Sequence, residues 1–187
     1  TATAIVVNTG GGVSDDEGNM VGVYNGLPFR GGERVIIKIK SNSNNNQDLD
    51  FSQDTTKYFF VSSVSDVMVE AQKEIFTLNL ISREAITNET VRVGKKFPVS
   101  QKISDSVEDI IKNYLKSDKI SDIDETINPY GFLGNLKKPF SIITWLASKS
   151  VSGGSENQPK DGTAGFLFYE TKDGFNFRSI DSLIEQE

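Results

Sequence analysis

The stretch from Gly165 to Leu183, GFLFYETKDGFNFRSIDSL, constrains the fold more than any other, because it gathers four phenylalanines around one Asp173-Gly174 pair. Asp-Gly flanked by alternating apolar residues is the strongest short-range hairpin signal, since the turn needs positive φ and glycine adopts it without steric cost. Strand alternation then puts Phe166, Phe168, Phe175 and Phe177 on one face and Leu167, Tyr169 and Arg178 on the other. Aromatics at strand spacing read as core, and no chemistry is assigned to them.

The first half of the chain is patterned as strands. Ala2 to Val7 reads as a strand that stops at Gly10-Gly11-Gly12, followed by the acidic Asp15-Asp16-Glu17. A phosphate-cradling loop needs a second glycine followed by Lys and then Ser or Thr; none follows here, so a flexible loop is expected. Met20 to Tyr24 is a second strand leading to an Asn25-Gly26 turn. Glu33 to Lys40 alternates, with Val35, Ile37 and Ile39 expected in the core. Unpaired buried lysines would cost several kcal/mol, so Arg34, Lys38 and Lys40 are expected to face solvent, a lumen or a neighbouring subunit, as a candidate interface. Ser41 to Thr56 is Asn-rich and without period, hence a long exposed loop at a sheet edge. Tyr58 to Val64 and Glu74 to Ser82 are the next strands, antiparallel and joined through Val67-Met68-Val69, a segment that either extends the first or forms a short intervening strand.

Near Arg83 the period changes from two to helical. Ser82 to Glu89 reads as a short helix or turn. Ser104-Asp105-Ser106 offers N-caps for an amphipathic helix over Val107 to Leu115. Asp118 to Asn128 reads as a polar connector, and Pro139 starts a second, mostly buried helix over Phe140 to Ala147 that carries Trp145 on its apolar pattern. The expected fold is α+β: an antiparallel curved β-sheet or half-open barrel in residues 1–100, followed by two helices and a β-hairpin in residues 101–187.

Composition narrows the chemistry. The chain has 187 residues and neither cysteine nor histidine, which removes disulfides, thiol nucleophiles, Cys/His metal sites and imidazole acid–base catalysis. With 26 acidic against 20 basic residues its net charge is -6, which disfavours a nonspecific grip on nucleic acid or anionic lipid. No apolar run approaches the roughly 20 residues that span a bilayer, so no membrane insertion is expected. Asp48, Asp50 and Asp54, and again Asp122, Asp124 and Glu125, lack the spacing and glycine of a calcium loop and read as solvated. No cofactor, metal or catalytic residue is expected, and a non-enzymatic protein is the favoured reading.

The succession FTLNLISREAITNETVRVGKKF (Phe76 to Phe97), ISDSVEDIIKNYL, KKPFSIITWLASKSV and GFLFYETKDGFNFRSIDSL resembles the baseplate central hub proteins of T-even-type contractile-tailed phages. The resemblance runs through most of the chain and corresponds to the N-terminal portion of such a hub. It implies a structural virion protein whose β-rich tube-type domains form a trimeric ring at the tail tip, with the tail tube protein above and the cell-puncturing spike protein below. It also implies assembly in the host cytoplasm, and it brings no catalytic residue. The alternative from another class is a carbohydrate-binding or hydrolytic β-domain of the same tail. An open strand edge would favour the first; an aromatic-lined cleft with two converging carboxylates would favour the second.

Overall fold

The alternation of Phe76, Leu78 and Leu80 with Ile75, Thr77, Asn79 and Ile81 makes a strand with one buried face, and the first sheet is built around it. The computed structural model describes residues 1–10, 12–27, 29–43, 47–70, 73–153, 162 and 164–185. By packing, the chain divides into two units, Thr1–Arg83 and Glu84–Glu187.

In the first unit the chain runs through β1 (Ala2–Asn8), β2 (Gly12–Ser14), β3 (Met20–Gly22), α1 (Val23–Gly26), β4 (Arg34–Val35), β5 (Lys38–Ile39), β6 (Leu49–Asp50), β7 (Phe59–Glu70) and β8 (Lys73–Ser82). The main sheet has the order β1-β8-β7-β4, antiparallel throughout, and curves into a half-barrel. Its curvature has a local cause in β7, whose register against β8 shifts between Val61 and Ser63 and between Ser65 and Met68, with Asp66 in the left-handed region at φ 52°. Such bulges bend a strand and increase its twist. Val61, Phe76, Leu78 and Leu80 form the buried core, and Phe29 and Tyr24 lay their rings against Phe76 at 5.5 and 5.6 Å.

The structure departs from the sequence reading at four places here. Tyr24 and the expected Asn25-Gly26 turn lie in the one-turn helix α1. The expected glycine loop resumes as a strand at Gly12, where β2 pairs with β3; Gly11 is outside the described residues. The expected strand over Glu33 to Lys40 is two strands: β4 joins the main sheet, whereas β5 pairs with β6. Because β5 leaves the main sheet, Ile39 is 56% exposed and belongs to no core, while Val35 and Ile37 remain half-buried. Lastly, β6 lies inside the stretch expected to be a structureless loop, whose Asn44-Asn45-Asn46 centre is outside the described residues. The expectation for Val67-Met68-Val69 resolves as an extension of β7.

The second unit contains α2 (Arg83–Thr90), β9 (Lys96–Phe97), α3 (Ile103–Asn113), β10 (Ile120–Ile123), β11 (Phe132–Leu133), α4 (Pro139–Ala147), β12 (Phe166–Glu170), β13 (Phe175–Ser179) and α5 (Ile180–Ile184). The helical switch at Arg83 coincides with the division by packing, which falls ahead of residue 100. Glu84 of α2 is fully buried against Ser117 and Lys119, and β9 pairs with β11, so residues 84–100 pack with the C-terminal elements of the chain. The helix α3 starts at Ile103, earlier than Val107, without a side-chain cap. Ser104 is turned inward instead, its N–H donating to Thr126 Oγ1 at 3.1 Å. In α4, Pro139 occupies the first turn as expected.

The hairpin forms as read, β12 against β13, with Gly174 at φ 145° and the Thr171 N–H donating to the Gly174 carbonyl at 2.9 Å. Its phenylalanines enter a core with Phe97, Ile110, Ile143 and Leu146. One expectation fails beside it. The polar connector contains β10, which pairs in parallel with β13, making β13 the central strand of the order β10-β13-β12. The second face of β13 is consequently covered too: Asn176 and Arg178 are buried, and Arg178 Nε lies 3.2 Å from Asp122 Oδ2 and 3.6 Å from Asp124 Oδ1. Among the described residues no helix is long and apolar enough to cross a membrane.

Candidate assembly interface

The outer edge of β1 is the part of the first unit whose chemistry calls for a partner. Seven residues, Ala-Thr-Ala-Ile-Val-Val-Asn, pair in unbroken register with β8, from Ala2↔Leu80 to Asn8↔Glu74. Among the described residues no strand pairs with the other side of β1, which ends the sheet. Exposed edges in natural sheets are guarded by charge, proline, bulges or brevity, because unpaired backbone N–H and C=O groups template pairing with another chain. None of these guards is present in β1. Its outward-facing side chains include Ile5 and Val7, both largely exposed, while Ala2, Ala4 and Val6 pack inward.

The opposite edge differs in every respect. There β4 has two residues, carries Arg34, and pairs with β7 through Arg34↔Phe60 and Val35↔Phe59. Lys38 and Lys40 follow on and after β5, so the three candidate interface residues lie on one stretch and all three are exposed, as expected. Lys38 approaches Asp50 across the β5–β6 ladder at 3.8 Å. Asp50 itself is held well below the usual carboxylate range, at about 2, chiefly by hydrogen bonds from Ser52. The β2–β3 turn bears Asp15, Asp16 and Glu17, and Asp15 is lowered by the N–H of Asn19, which donates to it at 2.8 Å.

The carboxylates that invited a metal reading are engaged otherwise. Asp54 accepts from the Thr56 N–H at 2.8 Å, and Asp124 accepts from the Ser179 N–H at 2.7 Å as well as from the Ser182 hydroxyl. Among the described residues no group of three or more metal-ligating side chains is gathered. Two clefts of the second unit, among its described residues, each hold only one of the two features that a glycosidase or sugar-binding cleft needs together. One cleft, lined by Lys102, Asp124, Glu125, Ser152, Ser179 and Ser182, has carboxylates and no aromatic ring. Another, lined by Phe132, Leu133, Asn135, Lys137, Ile142 and Trp145, has aromatics and no carboxylate. Trp145, expected in the core, is partly exposed there and sets its ring edge-on to Tyr130 and Phe132 at 5.6 Å.

The β1 edge was overlooked in reading the sequence, although its signal was present as a run of β-branched residues without a single charge. Comparison of the chain with protein-family models, with curated proteins and with solved structures gives no match in any of the three.

Proposed function

We propose that this chain is a structural assembly subunit whose copies join through the first-unit sheet, and that it serves as part of the baseplate hub ring of a contractile phage tail. The observation that carries the reading is the unguarded, uncharged outer edge of β1. Strand addition at such an edge gains a ladder of backbone hydrogen bonds, with side chains supplying specificity. The two edges are unlike, so pairing one with the other is head-to-tail, and head-to-tail contacts close into rings when the rotation permits. Exposed charges such as Arg34, Lys38 and Lys40 would steer that encounter. In this reading the ring is a trimer of full hubs, the tail tube protein stacks on one face and the spike protein on the other, and no reaction is catalysed.

Sedimentation velocity over a range of concentrations, with electron microscopy of the largest species, tests the assembly. A closed oligomer is expected, and Ile5→Lys together with Val7→Lys should dissolve it while leaving the monomer folded. A parent chain that remains monomeric at every concentration, or a double-lysine variant that assembles like the parent, overturns the edge reading. Co-sedimentation with tail tube and spike proteins of a T-even-type phage tests the hub assignment, and binding to neither removes it.

A further inference from the structure

A strand that packs on one face hides every second side chain. The far end of β7 hides none: Val67, Met68 and Val69 are 41, 53 and 49% exposed in succession. Here β7 and β8 still pair, through Met68↔Ile75 and Glu70↔Lys73, so this is a formed ladder, with Val69 and Glu70 bordering a concavity shared with β2 and β3. Asp66 and Glu70 bracket the three apolar residues, Lys73 stands opposite Glu70 and the buried Glu74 opposite Val69, so the exposed charges of the arm are two carboxylates and one ammonium.

The second unit presents the converse. Leu136 is 70% exposed and is held with Asn135 in the left-handed region, at φ 55° and 53°. Such a conformation is strained for a non-glycine residue, and strain of this kind clusters at functional sites. Beside it, Leu133 and Trp145 line an apolar cleft. Of the lysines around it, Lys95 is paired with Asp109 and Lys138 with Glu89. Lys96 and Lys137 have no ion-pair partner among the described residues. An apolar cleft rimmed by unpaired lysines fits an apolar knob flanked by carboxylates.

We infer that the β7–β8 arm of one copy, through Val67, Met68 and Val69, seats in the Phe132–Leu133–Trp145 cleft of a second copy and against the exposed Leu136 that follows it in the chain, with Asp66 and Glu70 meeting Lys96 and Lys137. This rests on the reading of the chain as a self-assembling subunit and names a second contact within that assembly, separate from the β1 edge. The arm and the cleft are different surfaces, so the contact is head-to-tail and each copy both gives and receives.

Trp145 is the single tryptophan of the chain, so its emission reports this cleft alone. The full-length protein is followed by sedimentation and by Trp145 fluorescence with acrylamide quenching over the same concentrations. The emission is expected to shift to the blue and the quenching to fall as copies associate. Met68→Ser in the arm and Leu136→Ser beside the cleft should each weaken association by about tenfold or more, the range of a central interface residue. Each single variant lacks one half of the contact, so mixing the two should recover a Trp145 shift that neither gives alone. Glu70→Lys should weaken association, and Lys96→Glu with Lys137→Glu should restore it in the same chain. Association without any change at Trp145 overturns the arm contact and leaves the β1 reading standing. Absence of association at all concentrations overturns both, and a Trp145 already shielded in the monomer overturns the contact between copies.

Discussion

Glu84, without solvent exposure at the start of α2, accepts from the Ser117 hydroxyl at 2.8 Å with one carboxylate oxygen and from the Lys119 ammonium at 3.1 Å with the other. The pair spans a sequence separation that no helix or hairpin covers, and it fastens α2 to the rest of its unit. Removing one partner of a buried pair leaves the other charge uncompensated, at a cost of about 3–5 kcal/mol. Lys119→Met should therefore destabilise the second unit by that amount in urea denaturation. Lys112→Met breaks the exposed i,i+4 pair with Glu108 and should change stability by less than about 0.5 kcal/mol. Similar losses from the two substitutions would mean that Glu84 finds solvent when Lys119 is gone.

Burial grades the apolar positions of the two units. Phe177, fully buried, should cost about 3–5 kcal/mol on truncation to alanine. Ile37, half-buried, should cost about 1–2 kcal/mol, and Ile39→Ala should fall within about 0.5 kcal/mol of the parent. Lys38→Ala should likewise leave folding nearly unchanged. Chemical denaturation of the four variants checks the ranking, and a large loss at Ile39 would put β5 back into a core.

Asp50 supplies a pH test of the β5–β6 ladder. Its folded value, about 2 against the ordinary 3.8, is depressed, so its contribution is present above the ordinary value and is lost as pH falls through the folded one. The denaturation midpoints of the parent and of Asp50→Asn should differ from neutral pH down to about pH 4 and converge by about pH 2. A difference that is constant across that window would assign the effect to lost packing and not to the carboxylate charge.

Gly174 combines a φ of 145° with a position where a Cβ would stand 2.8 Å from the Lys119 carbonyl oxygen. The obstructing atom is backbone and the torsion is one that side chains disfavour, so Gly174→Ala is strained twice over. A loss of about 1–3 kcal/mol is expected, accompanied by faster amide exchange at Phe175, whose N–H donates to that same carbonyl at 2.8 Å. Retention of slow exchange would show that β10 yields to the new methyl.

Local pattern revealed those elements whose burial is one-sided or whose partners are near in sequence. The alternation along β8, the apolar stripe of Val107, Ile110, Ile111 and Leu115, Pro139 at a helix start and the Asp173-Gly174 turn are all of this kind. What escaped was decided by distant partners. In β10, Ser121 and Asp122 disguise a strand as a linker, because Asp122 is answered by Arg178 from the far end of the chain. In β5, alternation was real while the sheet it belonged to was not the one expected, which moved Ile39 from core to surface. The basic residues Arg34, Lys38 and Lys40 were placed on the exposed side by the cost of burying them, whereas the uncharged β-branched run of β1 marks a strand without marking it as an edge, since an edge is defined by what fails to pair with it.

The central position of β13 in its sheet has a consequence in time. A ribosome adds residues at roughly 5–20 per second from the N-terminus, and β10, α3, α4 and β12 are all made before Phe175 emerges. Until synthesis has passed Ser179, β10 and β12 have no common neighbour to join them, and the apolar faces of α3 and α4 lack Phe175 and Phe177. The second unit is thus kept waiting by its own topology. A ribosome stalled before residue 175 should carry a first unit able to fold beside a second that is still protease-sensitive, and the same nascent chain extended past Ser179 should become resistant in one step.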